Sequence, residues 1–418
     1  MKTPALLPLA RTAVSSLVLA ACAHLSASEV IHWNRVAVET TTRAMPDDPV
    51  SESRILAIVH LAMHDAANSV SPRFAGYAPS QAAEAGASVD AAVAAAAHVT
   101  LRALLPDHVA AIDAEFNHRT PLVGSEVAKQ SGIAAGERAA VQLLTLRQND
   151  GSALYATRAA GQLAGEYRPT PPDFTVVPIS HWGRVQPFAL TKSEQFRPTS
   201  PPAPGSPAAR ADLEEVHAIG GSVSTRRSFE QSEIATYWYE HSTRSWNRIA
   251  RDIALARGLD VWEQARLLAL VNVAMADGFI AGMEAKYHYH YWRPATAIRE
   301  TLDPQWLSYL PTPPVPDYPS THTVLGTAAA TAIAQCLGTD FVSFTMTSGA
   351  PYSNITRRFW SLSQAARENG SSRVLCGLHF QTAVQAGYRQ GHEIGAWVVA
   401  HTLLPRTLEG AVNLTAGN

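Results

Sequence analysis

Lys286-Tyr287-His288-Tyr289-His290-Tyr291-Trp292-Arg293-Pro294 decides how the rest of the chain is read. Lys286 and Arg293 stand seven residues apart. That is about two helical turns, so the spacing predicts that both cations project from one helix face. Two such cations repel each other, so the face is either solvated or built to hold an anion. The interleaved Tyr287, Tyr289, Tyr291 and Trp292 speak against a plainly solvated face. Pro294 lacks an N–H and crowds the preceding turn, so the helix is expected to stop soon after Arg293.

Two later stretches carry complementary chemistry. Tyr318-Pro319-Ser320-Thr321-His322 leads into a helix-like run over residues 323–337. A helix starting there presents free N–H groups and a positive dipole end. Ser320 adds a hydroxyl, and His322 adds a group suited to proton transfer near neutral pH. Ser372-Arg373, followed after five residues by His379, supplies a second guanidinium and a second imidazole. Alone, Pro-Ser-x-His is more often a helix cap than a catalytic site. The combination of all three stretches, in this order and spacing, is the specific signal.

Written as Lys-x6-Arg-Pro, Pro-Ser-x-His and Ser-Arg-x5-His, the three stretches resemble the motifs of the vanadium-dependent haloperoxidases. The type 2 phosphatidic-acid phosphatases and acid phosphatases share this site. The resemblance is nearest to soluble bacterial members of the haloperoxidase branch. It extends to His32-Trp33-Asn34, the run 53–68, Pro187-Phe188-Ala189-Leu190 and Gln195-Phe196-Arg197-Pro198. It therefore covers most of the chain after about residue 29.

The resemblance implies a cage for vanadate, or for phosphate in the same place. Lys286, Arg293 and Arg373 would supply the charge, and Ser320 and the Thr321 backbone N–H further donors. His379 would bond to vanadium through a ring nitrogen, or attack phosphorus to give a phosphohistidine. His322 would be the general acid–base. Asp277, nine residues before Lys286, is where the resemblance puts an acid that orients the lysine, with an exposed or capping acid as the other reading. Gly377 is expected to let the backbone approach the anion. Three reactions are weighed: halide oxidation by hydrogen peroxide, metal-free hydrolysis of a phosphoester, and non-catalytic phosphate binding.

The chain also departs from the pattern. Many relatives carry Asp four residues after the second motif histidine, and this chain has Ala383. A carboxylate there would fix the imidazole tautomer. Without it a backbone carbonyl, water or distant acid must take over, or His379 is less basic. Thr321 replaces the usual glycine of Pro-Ser-Gly-His. Val315 and Met283 stand where the fungal chloroperoxidase-type site has aromatic residues near the halide, which points to bromide over chloride.

The N-terminus has the layout of a secretory signal, with Lys2 and Arg11 before an apolar stretch at residues 13–23. Two processing readings stand side by side. One is ordinary cleavage after Ser26-Ala27-Ser28, before Glu29. The other is a lipobox, Leu19-Ala20-Ala21-Cys22, that puts a lipid anchor on Cys22. Both imply export, to the periplasm, the outer membrane as a lipoprotein, or the medium. The remaining chain was expected to hold no run long enough to cross a bilayer. A net charge of −2 gives no reason to expect nucleic acid as a partner. Beyond Cys22 there are Cys336 and Cys376, read as two buried thiols rather than a disulfide.

Helical periodicity runs through most of the chain, including 51–68, 82–105, 107–118, 125–146, 229–244, 246–257, 261–289, 356–368 and 378–404. On residues 51–68, His60 and His64 stand at a metal-compatible spacing, but without a third ligand they read as structural. Residues 147–206 are rich in Gly and Pro and read as a long irregular segment; the resemblance implies that it wraps the helices near the site entrance, and a domain linker is the other reading. The expectation is an all-α protein of helical bundles. It divides into a signal (1–28), an N-terminal bundle (29–225) and a C-terminal bundle carrying the oxyanion site (226–418). Oligomeric state is left open.

Overall fold

The computed structural model describes residues 28–79, 81–120 and 125–406 of the 418-residue chain. The expected signal, with residues 13–23 and Cys22, lies outside the described residues. The described part is helical, as expected. It comprises α1 (Glu29–Ala44), α2 (Pro49–Val70), α3 (Val89–Leu104), α4 (Val109–Arg119), α5 (Glu126–Arg147), α6 (Pro207–Ile219) and α7 (Phe229–Tyr237). Then follow α8 (Ser242–Ala256), α9 (Val261–Tyr289), α10 (Pro294–Thr301), α11 (Thr321–Leu337), α12 (Leu362–Leu375) and α13 (Gln381–His401). One antiparallel hairpin pairs β1 (Phe344–Thr347) with β2 (Thr356–Phe359). Residues 356–359 were expected to open a helix. Instead Phe359 faces inward against Phe344, and α12 begins only at Leu362.

The fold is arranged around α9. Asp260 and Glu263 form a capping box at its start, satisfying free N–H groups reciprocally. Its residues are apolar on nearly every side, as in a helix enclosed by others. It packs against α2, α8, α11 and α13. Contrary to expectation, α9 is long and apolar enough to cross a membrane. However, 94% of its most apolar 18-residue window is buried inside the protein.

The expected division at 225/226 falls between α6 and α7. One apolar cluster reaches across it, from Val30 and Trp33 of α1 to Ile394 and Val398 of α13. A buried amide network runs the same way. Asn34 Nδ2 donates to Asn247 Oδ1 at 2.6 Å, and Asn247 Nδ2 to Asn272 Oδ1 at 2.8 Å. His60 belongs to this network, with Leu56 O 2.6 Å from Nδ1 and Asn34 Nδ2 2.7 Å from Nε2. His64 is likewise satisfied by Asp65 and Asn68. Both histidines are structural, and no metal cluster occurs among the described residues. Cys336 and Cys376 are free thiols, the first half-buried and the second buried.

Two devices position the site. On α13, Gly387, Gly391 and Gly395 face α11 so closely that a Cβ would fall 2.8, 2.4 and 2.5 Å from the carbonyl oxygens of Ser320, Val324 and Ala328. This contact fixes the start of α11, with Ser320 and His322, against the start of α13, just after His379. The second device is the irregular segment 148–206. Tyr289, Tyr291 and Tyr318 donate their hydroxyls to the carbonyls of Pro198, Pro202 and Thr199. Tyr167 N and Trp292 N pair with His290 O and Gly165 O. The tyrosines of the opening motif therefore lash this segment over the end of α9.

Candidate oxyanion site

Lys286 sits in the last turn of α9 and is fully buried. Its Nζ donates to Pro316 O at 2.5 Å and Asp317 O at 2.9 Å, which uses two of its three donors. Arg293 does not lie on the same helix, contrary to the spacing argument. Helix α9 ends at Tyr289, with His290 left-handed at φ 51° and ψ 40°. Arg293 is extended at φ −85° and ψ 157°, as favoured before proline, and Pro294 starts α10 rather than ending α9. The two cations still converge, because the chain turns back on itself. Arg293 Nε donates to Val315 O at 2.7 Å and Nη1 to Leu378 O at 2.7 Å.

Arg373, in the last turn of α12, donates from Nε to Ser372 Oγ at 3.1 Å and from Nη2 to Trp238 O at 2.9 Å. The guanidinium lies 5.7 Å from the centre of the Tyr239 ring. After Arg373 the helix closes in a Schellman turn. Leu378 N bonds to Arg373 O at 3.0 Å and Gly377 N to Val374 O at 2.9 Å, with Gly377 at φ 77°. The reversal brings His379 back to the cations. Its Nε2 lies 3.0 Å from Arg293 Nη1, and its Nδ1 2.8 Å from Asp317 Oδ1. Arg293 Nη1 also lies 3.4 Å from Nδ1, but the shorter contact to Nε2 and the carboxylate 2.8 Å from Nδ1 make Nε2 the acceptor and put the ring proton on Nδ1, facing Asp317.

At the start of α11, Ser320 is fully buried and does not cap the helix with its side chain. Its Oγ instead accepts from Thr323 Oγ1 at 2.9 Å, so the hydroxyl hydrogen is left to donate elsewhere. Thr321, half-buried, is the first helical residue, so its N–H has no intrahelical acceptor. His322, also half-buried, has Asn369 Nδ2 2.8 Å from Nε2 and Ser242 Oγ 3.2 Å from Nδ1.

Electrostatics tie these groups together. Burial holds the Lys286 ammonium well below its ordinary range, Arg293 adds to the effect and Asp317 opposes it. His379 is also held well below the histidine range, by burial first and then by Arg293, Lys286, Arg373 and His322. Burial and then Arg373 do the same to His322. Burial pushes the Asp317 carboxyl up to about 7, against the pull of Arg293 and Lys286. Three nearly dry cations thus face one carboxylate, and backbone carbonyls hold five of their donors. Such a cluster is costly unless an anion offsets it. A tetrahedral oxyanion fits these donors, and the Nε2 lone pair of His379, held here by Arg293 Nη1, would fit bonding to its central atom once Arg293 turns to the anion.

Several expected roles are corrected. Asp277 does not touch Lys286. It accepts the backbone N–H groups of Phe188, Ala189 and Leu190 at 2.6, 2.8 and 2.9 Å, pinning the 187–190 stretch to α9. Nine helical residues turn through about two and a half turns, so the two side chains point to opposite faces. Asp277→Ala should therefore cost about 3–5 kcal/mol of stability, from three orphaned buried N–H groups. Urea unfolding measures this, and a loss below about 1 kcal/mol would remove the role. Gly377 does not face the cage. A Cβ there would lie 2.2 Å from Gly220 O, so the residue serves a close backbone crossing. Met283 is buried in the main core and Val315 packs at its edge, giving its carbonyl to Arg293. His288 is exposed, while His290 is buried and meets Tyr167 edge-on.

Residues that the spacing did not mark are Asp317, Asn369, Ser242 and Tyr167. The Tyr167 hydroxyl is buried without a partner among the described residues, and its ring is close enough to Arg293 to alter its charge equilibrium.

Residues 266–405 match the family model described as the VCPO second helical-bundle domain. A solved bacterial vanadium-dependent iodoperoxidase superposes with a TM-score of 0.81 at 25% identity, covering 91% of this chain and 98% of that one. These likenesses support a place in the vanadium haloperoxidase superfamily. Vanadium chloroperoxidase from Curvularia inaequalis is 29% identical over 185 residues, which is 35% of this chain and 30% of the fungal protein. The chain thus matches less than a third of that enzyme's length. A holo-type bacterial vanadium-dependent chloroperoxidase shares the fold, with a TM-score of 0.67 at 19% identity over 84% of this chain and 91% of that one.

Proposed function

We propose that this protein is a vanadate-dependent haloperoxidase, oxidising halide with hydrogen peroxide at an oxyanion bonded to His379. The observation that carries this is the His379 environment, with Nδ1 turned to Asp317 and Nε2 turned to buried cations. Lys286, Arg293 and Arg373 would hold the oxyanion by charge, and Ser320 Oγ and Thr321 N by hydrogen bonds. Vanadate, when bound, would activate peroxide toward a halide nucleophile. The overall reaction, X⁻ + H₂O₂ + H⁺ → HOX + H₂O, consumes a proton. His322, held by Ser242 and Asn369, would deliver it. Hydrogen-bond donors fixed before the reaction keep the cost of charge development low.

His322→Ala should lower turnover roughly 10²–10³-fold while vanadate affinity changes by less than about threefold, because proton transfer is its share of the work. Parallel halogenation kinetics and calorimetry check this, and equal losses in both would remove the role.

The phosphatase reading uses the same donors, with His379 attacking phosphorus. Titration of vanadate against both activities on one preparation separates the two. The haloperoxidase reading requires that vanadate activate halogenation, with phosphate as competitor. Vanadate that only inhibits phosphate release would overturn it. Lys2, Arg11 and residues 13–23 further support an exported protein. Mass spectrometry should find the mature chain starting at Cys22 or Glu29, and a chain starting at Met1 would overturn export.

A further inference from the structure

We infer that Asp317 is the positioning residue for His379, taking over from the loop before α11 the job that a carboxylate at position 383 would perform. This inference rests on the oxyanion reading above and deepens it.

Ala383 lies in the first turn of α13, fully buried, and offers only its carbonyl, which accepts Ser320 N at 3.0 Å. The carboxylate of Asp212 reaches that end of α13 but is taken up by Thr382 N and Oγ1. Asp317 approaches the same imidazole from the opposite element. It is fully buried, its N–H is fixed on Tyr291 O at 2.9 Å, and its Oδ1 lies 2.8 Å from His379 Nδ1. The ring N–H is not yet well aligned on the carboxylate. That is common in unliganded sites, where such hydrogen bonds tighten on binding.

The surrounding contacts separate orientation from mere charge balance. Arg293 Nη1 stays 3.9 Å from Asp317 Oδ1 and turns to Leu378 O and His379 Nε2 instead. Lys286 takes the backbone carbonyl of Asp317, not its carboxylate. The carboxylate's nearest cationic or protic side-chain partner is the imidazole. The loop thus sets the cage as one piece. The Val315 carbonyl orients Arg293, the Pro316 and Asp317 carbonyls orient Lys286, the Asp317 carboxylate orients His379, and Ser320 follows three residues later.

The test uses the purified full-length protein with ¹⁵N-labelled histidine, and orthovanadate or inorganic phosphate as probes. In the wild type His379 should carry its proton on Nδ1, and an Nε2–H signal would overturn the inference without any variant. Asp317→Ala should weaken orthovanadate binding roughly 10–100-fold and abolish the Nδ1–H preference. Binding within threefold of wild type, with the signal unchanged, would overturn it. Asp317→Asn keeps an acceptor oxygen and should lose clearly less than Asp317→Ala. Equal losses would mean that only charge matters, which also overturns it. The double variant Asp317→Ala/Ala383→Asp should regain affinity together with the Nδ1–H signal. A restored signal without regained affinity would overturn it as well. Wild-type protein that binds neither probe would sink the oxyanion reading instead, a failure distinct from a wrong tautomer.

Discussion

His379→Ala should abolish halogenation, with a loss of roughly 10³-fold or more, and should equally abolish any phosphate release. The imidazole is the group in the cage that offers a lone pair rather than a hydrogen bond or a charge. Lys286, Arg293 and Arg373 gather and orient an oxyanion, but none of them can bond to its central atom. Either reaction therefore ends at the same residue, which is the nucleophile in one and the metal ligand in the other. The variant should fold. Arg293 keeps its bonds to Val315 O and Leu378 O, and Lys286 keeps Pro316 O and Asp317 O. Halogenation of an activated phenol with bromide and peroxide, at saturating vanadate, measures the effect. Retention of more than about a tenth of the wild-type rate would remove His379 from its assigned place.

The motif residues were legible because each motif is short and places its side chains locally. Proline positions, serine before a helix and an arginine six residues before a histidine are all features of one stretch. The start of helix α9 was legible, because the Asp260–Glu263 capping box and the long apolar run mark it. Its end was not, since the Lys286–Arg293 spacing and Pro294 carried the helix on to Arg293, four residues past Tyr289. Histidine is one of the residue types that tolerate the left-handed region, and His290 uses this to turn the chain toward Arg293. The break after α7 was missed for a similar reason. Residues 229–244 have one helical period, yet the helix stops at Tyr237, where the Tyr237 and Trp238 rings are drawn into a cluster with Phe359. That break leaves Trp238 O for Arg373.

Asp317 shows the limit of reading along the chain. Ala383 announced that a carboxylate was missing, but not where its substitute lies. An aspartate between prolines reads as a turn residue, and only the packing of α11 against α13 brings it to the imidazole. Asp277 failed in the opposite direction. Its spacing from Lys286 suggested a partner, but the helix turns the two apart and the acid serves the 187–190 stretch.

Arg373→Ala should abolish measurable oxyanion binding while leaving the helical content unchanged. Arg373 comes from α12, whereas Lys286 and Arg293 come from the end of α9 and the turn after it, so its loss removes one element's contribution to the cage. Its Nε and Nη2 are held by Ser372 Oγ and Trp238 O, which fixes the plane of the guanidinium. A fork fixed in this way gives directed, charge-assisted hydrogen bonds to an oxyanion, which a lysine at the same position would not reproduce. Removing one partner of a desolvated charge pair costs about 2–5 kcal/mol, a loss of roughly 30- to 5,000-fold in affinity. The fold should tolerate the change, because the side chains of the site carry more cations than Asp317 balances, and removing one relieves repulsion. The same relief predicts that the His379 and His322 imidazoles move back up toward the ordinary histidine range, since Arg373 presses on both. Calorimetry with orthovanadate and with inorganic phosphate reads the affinity, and ¹⁵N titration of the histidines reads the release. Unchanged affinity for both anions would remove the site as drawn. Lost affinity with no upward movement of either imidazole would mean that Arg373 acts on the oxyanion from outside the cage.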